Sequence, residues 1–306
     1  VPRIPRPEKP LADVNLLPQN DGSHEVVVCF MPDVDTLVGE GDVRAVLALD
    51  ASKSIKDQFG TTGPFMSSPN YVQAVGRKLG EILTGVTRTG KCSMLYWAMG
   101  PGGAETEAIG EFDAAGCQTV ALTGPKKKNG WGTGTQMLPA VRYVVERVGQ
   151  AAEFTIGVMV TDGIIEDEAA CVSYCLKLGE ELASGKRKPL KLVLIGVGAQ
   201  VNEEQLERFN NMFETTPLKG KVDVWGAAVA ADMRDESDIV GALFGELMSE
   251  AHTVAASGRV TAGGKELRKF ANGLPGKFRF ILPKGAKAFT VETPNGSVTQ
   301  DVTGSA

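Results

Sequence analysis

Leu47-Ala48-Leu49-Asp50-Ala51-Ser52-Lys53-Ser54 is the stretch around which the chain is organised. An apolar run from Ala45 to Leu49 stops at one carboxylate, and two hydroxyls follow at alternating positions. That is the pattern of a buried strand delivering polar groups to its carboxyl end, where open α/β sheets gather their ligands. All the polar atoms on offer are oxygens. An oxygen set with a single carboxylate suits a hard divalent cation, magnesium or manganese, better than zinc, which prefers histidine or cysteine.

Two further pieces lie downstream. Gly130-Trp131-Gly132-Thr133-Gly134-Thr135 is a glycine-rich loop with two threonine hydroxyls, and Gly157-Val158-Met159-Val160-Thr161-Asp162-Gly163 is a second apolar run ending in Asp-Gly. Each residue alone has a plain alternative, because Ser or Asp after a strand often caps the next helix. Their conjunction, Asp-x-Ser-x-Ser, then Thr, then Asp, points instead to one metal site.

In that pattern and order the chain resembles the von Willebrand factor A domain family, whose metal-ion-dependent adhesion site carries it. The resemblance covers residues 42–250. It implies a doubly wound, mostly parallel α/β sheet with helices on both faces. By the same resemblance Asp50, Ser52, Ser54, Thr133 and Asp162 hold Mg²⁺ (or Mn²⁺ or Ca²⁺), with Thr135 the competing threonine. The family's use of such a site implies a metal-dependent protein-binding or scaffolding module whose cation captures an Asp or Glu side chain of a partner. The alternative it implies is a metal-dependent enzyme, or the non-catalytic subunit of an ATP-driven, chelatase-like machine. The long loop after Ser54 looks more like intracellular bacterial members than receptor-type ones, which implies a cytoplasmic protein. Lys53 departs from the pattern, since many bacterial relatives have glycine there; it adds positive charge at the rim.

The flanking chain is read from periodicity. Val72, Val75, Leu79, Ile82 and Leu83 recur at helical spacing and predict an amphipathic helix. Strands are expected at Lys91–Met99, Cys117–Leu122, Phe154–Val160, Leu190–Val197 and Val222–Val229, with helices at 136–148, from Glu166 to about Ala183, Asn202–Phe213 and Ser237–Met248. Residues 1–41 are expected to form a proline-rich arm followed by a strand at His24–Met31. Residues 251–306 read as a β-rich segment, with a hairpin turn at Pro294-Asn295-Gly296, packing with that N-terminal strand.

Composition bounds the function. The chain has 306 residues, 42% hydrophobic and 23% charged, with a formal net charge of −5. That charge argues against nucleic acid as the main partner. No run approaches the length of a membrane span, and no signal peptide is visible. The chain starts at Val1 rather than Met, which leaves room for upstream residues. Five cysteines, an odd number lying partly in apolar runs, predict buried free thiols in a reducing compartment. Composition leaves the oligomeric state open, with a monomer favoured.

Other motifs carry less. Gly85 to Cys92 comes within one residue of a phosphate-binding loop, but a helix precedes it and a strand follows, the reverse of what phosphate binding needs. Lys126-Lys127-Lys128 beside Trp131 reads as a solvated loop or as a patch for nucleic acid or an acidic partner, with Trp131 placed to stack on a base. Cys171 and Cys175 read as core residues. The only histidines are His24 and His252, too few and too far from the other motifs for a Ser-His-Asp arrangement, so no catalytic constellation is assigned.

Overall fold

The computed structural model describes residues 4, 7–8, 10–30, 42–62, 67–198, 200–230, 233–234, 236–247 and 253–303. The chain divides into two compact units, Val1–Gly39 with Phe244–Ala306, and Glu40–Leu243. Met31, Met248, His252 and residues 63–66 of the loop after Ser54 lie outside the described residues.

The chain opens with β1 (Leu11–Pro18) and β2 (His24–Phe30), paired antiparallel. The proline-rich arm expected ahead of His24 therefore contains a strand, β1. Leu11, Val14 and Leu16 are buried, but the core that buries them is built largely from C-terminal strands, which no local pattern announces.

The second unit begins with β3 (Val43–Asp50), followed by a short 3₁₀ turn at Ile55–Phe59 and a two-residue ribbon of β4 (Thr61–Thr62) and β5 (Ser67–Ser68). Then come α1 (Tyr71–Gly85), β6 (Lys91–Met99), β7 (Glu105–Asp113) and α2 (Ala114–Thr119). After these lie α3 (Leu138–Arg142), β8 (Phe154–Thr161), α4 (Glu168–Ala183), β9 (Leu190–Val197), α5 (Glu203–Asn210), β10 (Trp225–Ala230) and α6 (Glu236–Leu247). Six of the strands form one sheet in the order β10-β9-β8-β3-β6-β7. Its first five strands are mutually parallel and β7 is antiparallel to β6.

The centre of this sheet is apolar along its whole length because both faces are covered. On one face α1 comes close: a methyl group added at Gly80 would lie 2.1 Å from Met94 Cε, and one at Gly76 would lie 3.0 Å from Leu49 Cδ1. Across the opposite face one cluster joins Val46, Ala48 and Leu95 to Val141, Val144, Cys171, Cys175 and Phe209. Local signals fix several helix starts. Asn202 Oδ1 accepts from the Gln205 amide at 3.0 Å, the cap expected from its place before two glutamates.

The remaining strands are β11 (Thr253–Ala255), β12 (Gly258–Ala262), β13 (Lys265–Phe270), β14 (Leu274–Pro275), β15 (Lys277–Leu282), β16 (Ala288–Thr293) and β17 (Gly296–Asp301). They form a β13-β12-β16-β17 sheet, a β11-β14 pair, and a β1-β2-β15 sheet in which β15 runs antiparallel to β2. β15 alternates buried Phe278, Phe280 and Leu282 with exposed Arg279 and Ile281, the period-2 signature of a strand with one face in a core. Its aromatic rings meet edge-on, Phe280 with Phe289 at 5.0 Å and Phe270 with Phe278 at 5.1 Å between centroids.

The expected fold class, a doubly wound and mostly parallel α/β sheet with a small β-rich module, is corrected on this evidence of pairing. The described chain is β-rich and spreads its strands over five sheets. Four of them are small and antiparallel, and the largest is mixed. The reason is physical: most of these strands are short and half-exposed, and such strands declare their partners only through hydrogen bonds between distant segments. β7 illustrates it. Glu105–Asp113 is polar and was not expected as a strand, whereas Cys117–Leu122, expected as one, begins as helix α2. Asp113 Oδ1 accepts from the Gly116 amide at 2.7 Å and starts that helix instead. The helix expected over 136–148 is α-helical only to Arg142 and then widens to a π-helix, Tyr143–Val148. No helix among the described residues is long and apolar enough to cross a membrane.

Candidate functional site

The carboxyl end of β3 delivers Asp50, fully buried, and the chain then turns so that the Ser52 amide donates to Asp50 Oδ1 at 2.6 Å. Its other oxygen, Oδ2, accepts from the Thr161 hydroxyl at 2.6 Å. Thr161 ends β8, the parallel neighbour of β3, so this bond joins two adjacent strand ends. The next residue is Asp162, whose Oδ1 accepts from Ser54 Oγ at 2.9 Å, and Ser54 Oγ lies 2.9 Å from Ser52 Oγ. Asp50, Ser52, Ser54 and Asp162 therefore form one connected cluster of oxygens.

The glycine loop closes a third side. Gly132 forms a parallel bridge to Ser52: its amide donates to Ala51 O at 2.9 Å, and its carbonyl accepts from the Lys53 amide at 2.9 Å. Thr133 and Thr135 follow directly. The exposed Thr133 hydroxyl accepts from the Gly102 amide at 2.8 Å. Thr135 is nearly buried, and a methyl group added at Gly163 would lie 3.7 Å from Thr135 Oγ1 and 3.8 Å from Ser54 Oγ. Of the two threonines it is Thr135 that shares the space over Gly163 with Ser54, whereas Thr133 turns to Gly102.

Sequence reasoning gave Thr161, Gly102 and Glu166 no place in the site. Thr161 could have been found as the last inward residue of its strand. Glu166 could not: its carboxylate reaches back over Gly134, so that a methyl group there would lie 2.5 Å from Glu166 Oε2.

The electrostatics follow from this burial. Desolvation raises the Asp50 carboxyl to about 6, outweighing the bonds from Thr161 and Ser52 that favour its charge; the charge of Asp162 adds to the rise. Asp162 is also raised, again chiefly by burial and against its bond from Ser54. Two neighbouring carboxylates that resist ionisation are what a divalent cation would relieve. The donors, hydroxyls and carboxylates only, are those a hard cation takes.

A pH dependence is expected from Asp50. Its folded value lies above the ordinary 3.8, so the folded chain holds a proton that the unfolded chain releases. Stability of the metal-free protein should therefore fall as pH rises from about 4 to about 6, by up to about 3 kcal/mol, and Asp50→Asn should remove this loss. Melting temperatures of both proteins in EDTA, measured from pH 4.5 to 7.5, should diverge in favour of the variant. Parallel curves would show that Asp50 carries no such cost.

The remaining motifs settle into structural places. Gly85 to Lys91 is a helix-to-strand turn, in which Thr87 Oγ1 accepts from the Lys91 amide at 3.0 Å. Lys127 is paired with Glu105 at 2.6 Å. All five cysteines are buried and outside any disulfide, and burial pushes the thiols of Cys92, Cys117, Cys171 and Cys175 upward. His24 lies in β2. The segment Glu40–Leu243 contains no histidine, so no Ser-His-Asp arrangement forms within it.

Comparison with known proteins assigns no family. No family model matches the chain, and no curated protein matches it. Among solved structures the chain is similar to the PilB minor pilin from Streptococcus sanguinis, at 9% identity and a TM-score of 0.40 over 76% of each chain. A point mutant of that pilin gives 10% identity and a TM-score of 0.42 over 78% of each chain. A human COPII-coat protein gives 8% identity and a TM-score of 0.36, over 92% of this chain and 46% of that one.

The resemblance to the von Willebrand factor A family, and with it the name metal-ion-dependent adhesion site, is corrected accordingly. No family model carries it. Among the described residues no group of three or more His, Cys, Asp or Glu side chains is placed to hold a metal. The oxygen cluster, with two carboxylates and several hydroxyls, stands on its own geometry, and the chain is left without an assigned family.

Proposed function

We propose that the chain is a protein-binding module that works through a divalent cation, Mg²⁺ or a similar hard ion, and that this cation captures an Asp or Glu side chain of a partner protein. The observation that supports this most directly is the chain of contacts from Ser52 through Ser54 to Asp162, closed above by the threonine loop and backed by the buried Asp50. Ser52, Ser54 and Asp162 would hold the ion, with Thr133 and Thr135 on the loop side. Asp50 would act mainly by orienting the Ser52 backbone and by its charge.

With only two carboxylates, the set leaves a dication without an excess of negative charge around it, which favours one more carboxylate from outside. A single such bond is too weak for stable capture, because association costs about 4 to 15 kcal/mol. The exposed residues around the rim must supply the rest of the interface. The five cysteines outside any disulfide support placing the protein in a reducing compartment of the cell.

The test is a Mg²⁺ titration followed by calorimetry and by melting temperature. Mg²⁺ should raise the melting temperature in a concentration-dependent way, as a ligand of the native state does, and Asp162→Ala should remove the response. No heat and no shift at millimolar Mg²⁺ or Mn²⁺ would defeat the proposal. So would turnover of a phosphoester in Mg²⁺ that Asp50→Ala abolishes.

A further inference from the structure

Beside the oxygen cluster lies a cavity of about 530 Å³ that the proposed function does not yet use, lined in part by Lys53, Lys56, Asn129, Trp131 and Thr133. We propose that it takes a second carboxylate of the same partner, so that the ligand is an acidic peptide segment bearing at least two Asp or Glu residues. This rests on the cation reading above and adds the chemistry of the partner to it.

Three observations carry the proposal. The first is continuity. Thr133 lines the cavity and belongs to the threonine loop, and Lys53 stands between the two serines of the cluster, so one short segment can reach both places. The second is charge. Among its described lining residues the cavity has two lysines and no carboxylate. Both lysines are exposed, and Lys56 Nζ sits 6.0 Å from the Trp131 ring centroid, an arrangement that keeps the ammonium over an aromatic face.

The third is rigidity. Trp131 meets Phe59 edge-on at 4.9 Å, Phe59 meets Tyr96 at 5.8 Å, and the Tyr96 hydroxyl accepts from the Gly124 amide at 3.1 Å. Gly124, at φ +88°, is required there, because a methyl group would lie 2.5 Å from the indole. The half-buried indole is thus a preformed wall, on which the aliphatic part of a Glu side chain can lie while its carboxylate meets the lysines.

The probe is hexaglutamate, titrated with Mg²⁺ or with EDTA while tryptophan fluorescence is followed. Trp97 and Trp225 are buried in the core, so a change on binding reports Trp131. Wild type should bind in Mg²⁺ with a fluorescence change. Lys53→Ala/Lys56→Ala should weaken binding about ten-fold, the summed effect of two partly screened ion pairs, and should flatten its salt dependence. Lys53→Glu/Lys56→Glu should abolish it. Because these side chains are exposed, the variants should melt as wild type does. If EDTA and Asp162→Ala change nothing while the lysine variants still weaken binding, the cation reading fails and the pocket stands. If the lysine variants bind hexaglutamate as tightly as wild type, with the same salt dependence, the pocket proposal is overturned. It is overturned equally if a thymidine hexanucleotide binds in a lysine-dependent way and hexaglutamate does not.

Discussion

Replacing Gly132 with alanine is expected to dismantle the candidate site without removing any of its oxygen donors. A methyl group at this position would lie 1.8 Å from the carbonyl oxygen of Ala98, 2.8 Å from its carbonyl carbon and 3.1 Å from the carbonyl oxygen of Gly134. These are backbone atoms at the end of β6 and in the loop itself, so no side chain can swing aside. The loop must move, and with it the two hydrogen bonds by which Gly132 bridges to Ala51 and Lys53. Such overpacking should cost on the order of 3 kcal/mol, which for a unit of this size lowers the melting temperature by roughly 10 °C. Mg²⁺ binding should be lost in the same variant even below its melting temperature. A Gly132→Ala protein that melts within a degree or two of wild type and still responds to Mg²⁺ would show that the loop is not packed as described.

Asp50→Ala is expected to have the largest effect on function. Asp50 reaches no solvent, yet one of its oxygens fixes the amide of Ser52 and the other holds the hydroxyl at the end of the neighbouring strand. Removing it frees the turn that aims Ser52 and Ser54, and takes away one of the two carboxylates of the cluster. Losing an orienting partner behind a metal ligand typically costs about 10- to 100-fold in metal affinity, and the lost charge adds to that. Capture of an acidic partner should then become insensitive to EDTA, because the cation-dependent component is gone. The fold should survive, since the deleted carboxylate is one that burial already disfavours in its charged form. Calorimetry with Mg²⁺, together with circular dichroism of the variant, separates the two outcomes. Unchanged Mg²⁺ affinity would remove Asp50 from the site.

The candidate site was legible in the sequence to the level of residue type and order. Asp50, Ser52, Ser54 and Asp162 follow apolar runs, and strand ends place such groups together once the strands are neighbours. That β3 and β8 are neighbours could not be read, because the residues their ends bring together, Asp50 and Thr161, lie 111 positions apart. The threonine loop shows the same limit. Thr133 and Thr135 are equivalent in the sequence, and only the bridge from Gly132 to Ser52 gives each its surroundings. The Lys53, Lys56 and Trp131 cavity was visible only as scattered charges and one aromatic residue. Its wall exists because Phe59 and Tyr96, from separate segments, hold the indole in place.

What the sequence determined by itself is what short-range chemistry controls: the buried apolar runs of β3, β6, β8 and β9, the amphipathic stripe of α1, the capping asparagine of α5, and the oxygen-only donor set. What only the tertiary structure decided is strand partnership. β2 of residues 24–30 pairs with β15 of residues 277–282, β1 appears where no periodicity announced it, and the polar β7 becomes a strand because β6 offers it an open edge. A strand's intrinsic preference is weak beside the hydrogen bonds and burial its neighbours provide. That is why the distribution of the chain over five sheets, and with it the departure from the expected fold class, emerges only once distant segments meet.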